Sequence, residues 1–212
     1  MLKEKGVPHS PQLRAEVTES EATIRTPRDI ALRLLVMYAV SVYSEVRTGG
    51  DTWMEGHYYL DTMSEIAEGK LSDHLTPEET AFVAIKEPEK EDYARFVWRY
   101  ECCHVLMWAL GYAKELSYPE KKCDVLNMGK VIWKYLGVDE IVQNAKPRTK
   151  EELLQAADLT MRYDRACADA RAKGAGSPAG LNCDVVRERH YALNWLIGAN
   201  GNADWDDIKI GA

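Results

Sequence analysis

The sequence has no surplus of basic residues. Its 27 Lys and Arg stand against 34 Asp and Glu, a net charge of −7 over 212 residues. Clustered Lys and Arg supply the non-specific affinity for phosphate backbones, so this balance argues against a nucleic-acid binder. Long apolar runs are missing as well. The longest, Leu34 to Val40, is far short of the ~20 residues that span a bilayer, and no membrane partner is expected. Met1–Ser10 carries charges and a proline where a secretory leader needs an apolar stretch. Cysteine is sparse and odd in number: Cys102, Cys103, Cys123, Cys167 and Cys183, with no Cys-x-x-Cys pair. That pattern argues against a secreted disulfide framework and for buried free thiols in a reducing cytoplasm. No segment alternates with period two for long enough to make a strand, and there is no internal repeat or long linker.

What is present is ordinary globular material, 46% apolar and 29% charged, enough for one substantial domain. Residues 1–25 mix prolines and charges without periodicity and read as an N-terminal extension. Residues 26–212 read as a single all-helical domain of about seven helices around two apolar central ones. The first central helix starts at Thr26-Pro27-Arg28-Asp29 (a threonine cap, proline at the first helical position, an acid in the first turn) and ends at Gly49-Gly50. Arg33 is the only full charge between Ile30 and Tyr43. A weaker helix is expected over 57–69, closed near Gly69. Thr76-Pro77-Glu78-Glu79 is a capping box that opens a short helix ending before Pro88. The second central helix is expected over 90–110, and further helices over 123–136, 150–173 and 184–197, each closed by a glycine. Trp98, Trp108, Trp133 and Trp195 at helical positions are expected in the core.

Charges stand on apolar faces. At ~100° per residue, Arg189 falls within the arc of Val185, Val186, Ala192, Leu193, Leu196 and Ile197, while Glu188 points the other way and His190 lies at the edge. On the preceding helix Asp158, Arg162, Arg165 and Asp169 form one stripe bordered by apolar residues, and Glu101 sits between Val97, Val105 and Trp108. Unpaired ions in such places cost several kcal/mol, so they should pair. The expectation is a buried ionic network in which Arg189 meets Glu101, Asp158 or Asp169 and Arg162 or Arg165 completes it.

Catalytic motifs are incomplete. Glu101-x-x-His104 has the spacing of a di-iron carboxylate helix, but no second copy exists. Consecutive Cys102, Cys103 and His104 diverge around a helix and cannot chelate one ion. The Gly174–Gly180 stretch lacks the Gly-Lys-Ser/Thr end of a phosphate loop and follows a helix, so it is a connector. Neither a metal nor a cofactor is expected. Glu101, His104, Glu188 and His190 remain as weak acid-base candidates.

Phe96-Val97-Trp98-Arg99-Tyr100-Glu101, Leu106 to Gly111, Ala157-Asp158-Leu159 with Arg162-Tyr163, and Glu188 to Leu196 followed by Trp205-Asp206-Asp207 together resemble an uncharacterised bacterial family, domain of unknown function 4272. The resemblance covers roughly residues 25–207. It implies a soluble domain without an assigned activity and lends no catalytic residues. Two departures stand out: Asp164 occupies a position where an aromatic or histidine is expected, and Ile208-Lys209-Ile210 replaces an acidic ending. The leading expectation is a non-enzymatic cytoplasmic binding or accessory module, with a protein partner and an undetermined oligomeric state. The alternatives are an enzyme with Glu/His acid-base groups acting on a small anionic substrate, and an acidic immunity-type protein that blocks a basic partner.

Overall fold

A computed structural model describes residues 2–50, 52–66, 71–135 and 137–211. Its α-helices are α1 (Leu2–Lys5), α2 (Pro27–Thr48), α3 (Trp53–Ile66), α4 (Pro77–Ala84), α5 (Lys90–Val97), α6 (Tyr100–Ala109), α7 (Val125–Lys134), α8 (Val138–Asn144), α9 (Lys150–Ala172) and α10 (Cys183–Leu196). No strand occurs among the described residues, and the all-α class holds. No helix among them is long and apolar enough to cross a membrane. The expected closure of the third helix near Gly69, and Leu136 at the end of another, lie outside the described residues.

The chain divides into two compact units: Met1–Arg25, Lys114–Lys122 and Arg148–Ala212 form one, and Thr26–Ala113 with Cys123–Pro147 form the other. In the second unit α2 starts as its residues dictate. The Thr26 side chain accepts the Asp29 N–H, Asp29 accepts the Thr26 N–H, and Pro27 occupies the first turn. Ile30, Leu34, Met37 and Tyr38 are buried, and so are Ala31, Leu35 and Tyr43 on other sides. A helix apolar all round must be enclosed, and α3, α5, α6 and α8 pack on it. The 90–110 segment is two helices, not one. At Trp98 and Arg99 the N–H groups of Arg99 and Glu101 turn to carbonyls three residues back, a tightening that separates amphipathic α5 from buried α6. Segment α8 was not anticipated.

In this unit the charge on α2 finds a carboxylate. Arg33 and Glu79 are 7% and 3% exposed, and Arg33 Nη2 donates to Glu79 Oε1 at 2.5 Å. The other Glu79 oxygen accepts the Thr76 N–H at 2.9 Å, so one side chain caps α4 and neutralises α2.

The first unit is built on α9 and α10, which pack together. A capping box of Thr149 and Glu152 opens α9, and the Asn182 side chain accepts the Asp184 and Val185 N–H groups to open α10. The described part of the expected extension, residues 2–25, is laced to these helices. Val7 is buried with Tyr163, Ala166, Cys167, Leu181 and Val186. Arg162 donates to the Ser10 and Leu13 carbonyls at 3.3 and 2.9 Å. The Thr23 and Arg25 N–H groups reach the Ile197 and Leu196 carbonyls at 3.2 and 3.1 Å. The Arg25 guanidinium lies over the Trp195 ring, 4.9 Å from its centroid, and donates to Ala203 O. The arm passes so near Gly198 (φ +70°) that an added Cβ would stand 2.7 Å from Thr23 O; only glycine combines that approach with that backbone.

The cysteine expectation is corrected in part. Cys102 and Cys103 are buried free thiols and Cys123 is a partly buried one, but Cys167 and Cys183 are joined in a disulfide. The glycine-rich connector between α9 and α10 turns the chain back and brings their Cα atoms to 5.7 Å, a separation typical of a bridge.

Candidate functional site

The titratable cluster of the first unit centres on His190. This side chain, expected at the core edge, has no solvent exposure. Its Nδ1 is 2.9 Å from Asp164 on α9, and its Nε2 is 3.1 Å from Glu16 on the arm. Asn194, one turn along α10 and 1% exposed, donates to the same Glu16 oxygen at 2.6 Å. Burial alone would lower the imidazole pKa. The hydrogen bonds to Asp164 and then Glu16, and the charges of both, outweigh it and raise the pKa to about 9. The ring is therefore an imidazolium at neutral pH, with both N–H groups donating to carboxylates. For Glu16 burial pulls upward, but His190 and Asn194 hold its carboxyl below the ordinary range.

This constellation holds a charge and offers it to nothing. A general acid or base needs a free edge within hydrogen-bond reach of a substrate, and both edges of His190 are taken. The adjoining cavity, bordered by Glu16, Ala157, Met161 and Asn194, measures about 10 Å³, room for about one water.

The remaining candidates fall in both units. Glu101 is 2% exposed, and its Oε1 accepts the Cys123 N–H at 2.5 Å. Arg189 is 3% exposed and donates to the Ser117 carbonyl at 2.7 Å. These two residues belong to different units. Along α9 the expected stripe resolves into two pairs one turn apart. Arg162 holds Asp158 through two bonds of 2.9 Å and is half-buried under the arm. Arg165 and Asp169, placed in the interior by the sequence reading, are about half exposed and pair with each other at 3.0 Å. The apolar borders of the stripe are covered by neighbours, but Arg165 itself faces water. His104 and Glu188 are partly buried. Among the described residues no group of three or more His, Cys, Asp or Glu side chains is placed to hold a metal ion.

Three partners escaped the sequence reading. Asp164 had a signal, since on a helical wheel it falls between Leu153 and Ala157, beside Ala168 and Met161, in an apolar arc. Glu79 was noted only as a cap. Glu16 had none, because it stands 174 residues from His190.

The second unit carries a different feature, an apolar stripe open to solvent. On α7 Met128, Gly129 and Ile132 are buried, and an added Cβ at Gly129 would lie 2.9 Å from the Tyr38 hydroxyl. The opposite face shows Leu126 (81% exposed), Lys130 and Trp133 (47%). Positions 0, +4 and +7 share a face. Trp133 was expected in the core; instead it is about half exposed. Burial raises the pKa of the Tyr38 phenol behind this helix.

These features define an all-α protein with a sealed histidine–carboxylate clamp and an outward apolar face on α7. The chain belongs to the family described as Domain of unknown function (DUF4272), whose profile matches residues 1–208. Neither a curated protein nor a solved structure matches it.

Proposed function

We propose that this protein is a non-enzymatic, cytoplasmic binding module that presents the outer face of α7 to an acidic, amphipathic segment of a protein partner. The observation that carries this reading is Trp133. It is a large aromatic that stands half exposed on a helix anchored by its opposite face, and such residues dominate binding energy. Leu126 supplies a second apolar contact on the same line, and Lys130 lies between them. The helix Val125–Lys134 carries Lys130 and Lys134 and no acid within a chain of net charge −7, so its charge suits a negative partner. The burial of Glu101, Arg189 and His190 supports binding over catalysis, and three free thiols support a reducing compartment.

The test uses labelled synthetic helices of equal length, one patterned Glu/Leu and one Lys/Leu, titrated against the full chain by fluorescence anisotropy. The acidic peptide should bind and weaken with added salt, and the combined change Leu126→Ala and Trp133→Ala should reduce its affinity by at least ~30-fold, the loss of one hot spot. Equal binding of both peptides, or an unaffected double variant, refutes the reading. In cells, a photo-crosslinker at position 127 should map to an acidic segment of another protein; crosslinks to a basic protein, a second copy or lipid would count against it.

A further inference from the structure

The Cys167–Cys183 bridge is asymmetric. Cys167 is 3% exposed among Val7, Tyr163, Ala166, Leu181 and Val186. Cys183 is partly exposed, and both cysteines border an open cleft of about 560 Å³ whose other walls include Arg171, Ser177, Asn182 and Glu120. Cys183 is also the first residue of the 14-residue helix α10, where the helix dipole favours a thiolate. The Ser177 oxygen lies 3.8 Å from Cys183 Sγ, where its hydroxyl can donate to the sulfur.

We infer that Cys183 is a reversible S-thiolation site for low-molecular-weight thiols, with Cys167 as the resolving cysteine. The thiolate of a small thiol enters the cleft and attacks Cys183 Sγ, on the more exposed of the two cysteines. A new sulfur–sulfur bond forms to Cys183, the bond to Cys167 breaks, and Cys167 leaves with the electron pair and takes up a proton. Two outcomes follow. The Cys167 thiolate attacks the mixed disulfide at Cys183, expels the small thiol and restores the bridge. Alternatively a second small thiol attacks its own kind in the mixed disulfide, which releases the oxidised small-thiol dimer and leaves both cysteines reduced, two electrons having come from two thiols. The cleft holds the adduct, since 560 Å³ lies within the range of small-molecule sites. Its mixed charges, Arg171 with Glu120 and Asp184, suit a zwitterionic peptide thiol.

Reduced glutathione is the probe for the oxidised full-length protein, with acid quenching and peptide mapping at each time. The mixed disulfide should appear at Cys183. In Cys167→Ser the bridge cannot re-form, and glutathione disulfide should load Cys183 at least ~10-fold faster than it loads Cys167 in Cys183→Ser or Cys102, Cys103 and Cys123 in either variant. Alkylation of Cys183 in Cys167→Ser should show a half-maximal pH below the ~8.5 of a free thiol. Adducts at Cys167, equal rates at all cysteines, or a bridge that survives reduced glutathione without an adduct at Cys183 overturns the assignment. The wild-type time course decides the matter should either variant fail to fold.

Discussion

Neutralising His190 should loosen the arm, and the pH at which it does so follows from the geometry. The native imidazolium is held at a pKa of about 9 between Asp164 and Glu16, against 6.5 for an ordinary histidine. A group whose pKa is raised in the native state binds its proton more tightly there. Its contribution is therefore complete below about pH 6.5, falls as pH climbs toward 9, and is gone above it. At roughly 1.4 kcal/mol per pH unit, the rise from 6.5 to about 9 corresponds to about 3 kcal/mol. For a chain of this size that is roughly 6–12 °C in Tm, since each kcal/mol shifts Tm by about 2–4 °C. Urea denaturation at intervals from about pH 6 to about pH 10, followed by circular dichroism, gives the wild-type slope. His190→Gln should be less stable than wild type by about 3 kcal/mol at the acid end, and the difference should shrink as the wild type deprotonates. Limited proteolysis should show cleavage before Arg25 rising over the same window, because Glu16 ties the arm to α10. Parallel stability curves for the two proteins across the range would refute the reasoning, and a difference that grew with pH would show that the neutral ring is the native form.

Other outcomes follow from the buried carboxylate and the glycine. Glu79→Ala removes both the α4 cap and the carboxylate facing Arg33, and denaturant melts should show a loss of about 3–5 kcal/mol; Glu79→Gln, which keeps a hydrogen-bonding oxygen, should lose less, and equal losses would show that the charge is irrelevant. Gly198→Ala forces a side chain onto Thr23 O at φ +70°, so it should cost at least about 1–2 kcal/mol and speed hydrogen exchange at the Thr23 and Arg25 amides; unchanged exchange there would separate the glycine from the arm.

Much of the architecture was legible because helices are local objects. Thr26-Pro27 and Thr76-Pro77 announce their helices through groups three residues apart, and the structure has both boxes. The apolar content of 30–43 required an enclosed helix, and α2 is one. The break at Trp98–Arg99 was hidden because both residues keep helical backbone angles, so neither glycine nor proline marks it. Trp133 misled for a simple reason: aromatic character says that a side chain is apolar, but not that a neighbour covers it.

The interior charges divide the same way. A helical wheel indicates that Arg189 must find partners, because its face is apolar. It cannot supply their identity, because a partner is chosen by the packing of segments far apart in the chain. Arg162 and Asp158, one turn apart, are the local kind. Glu16 with His190, Arg33 with Glu79, and Cys167 with Cys183 are the distant kind. By itself the sequence determined the all-helical class, most helix starts and the need to compensate buried charge, since these depend on backbone caps and side-chain periodicity within a few turns. Only the tertiary structure decided that residues 2–25 are a fastened strap, that His190 is a sealed cation, that two cysteines are bonded and that α7 turns a tryptophan outward, since each depends on which distant surfaces share the same desolvated space.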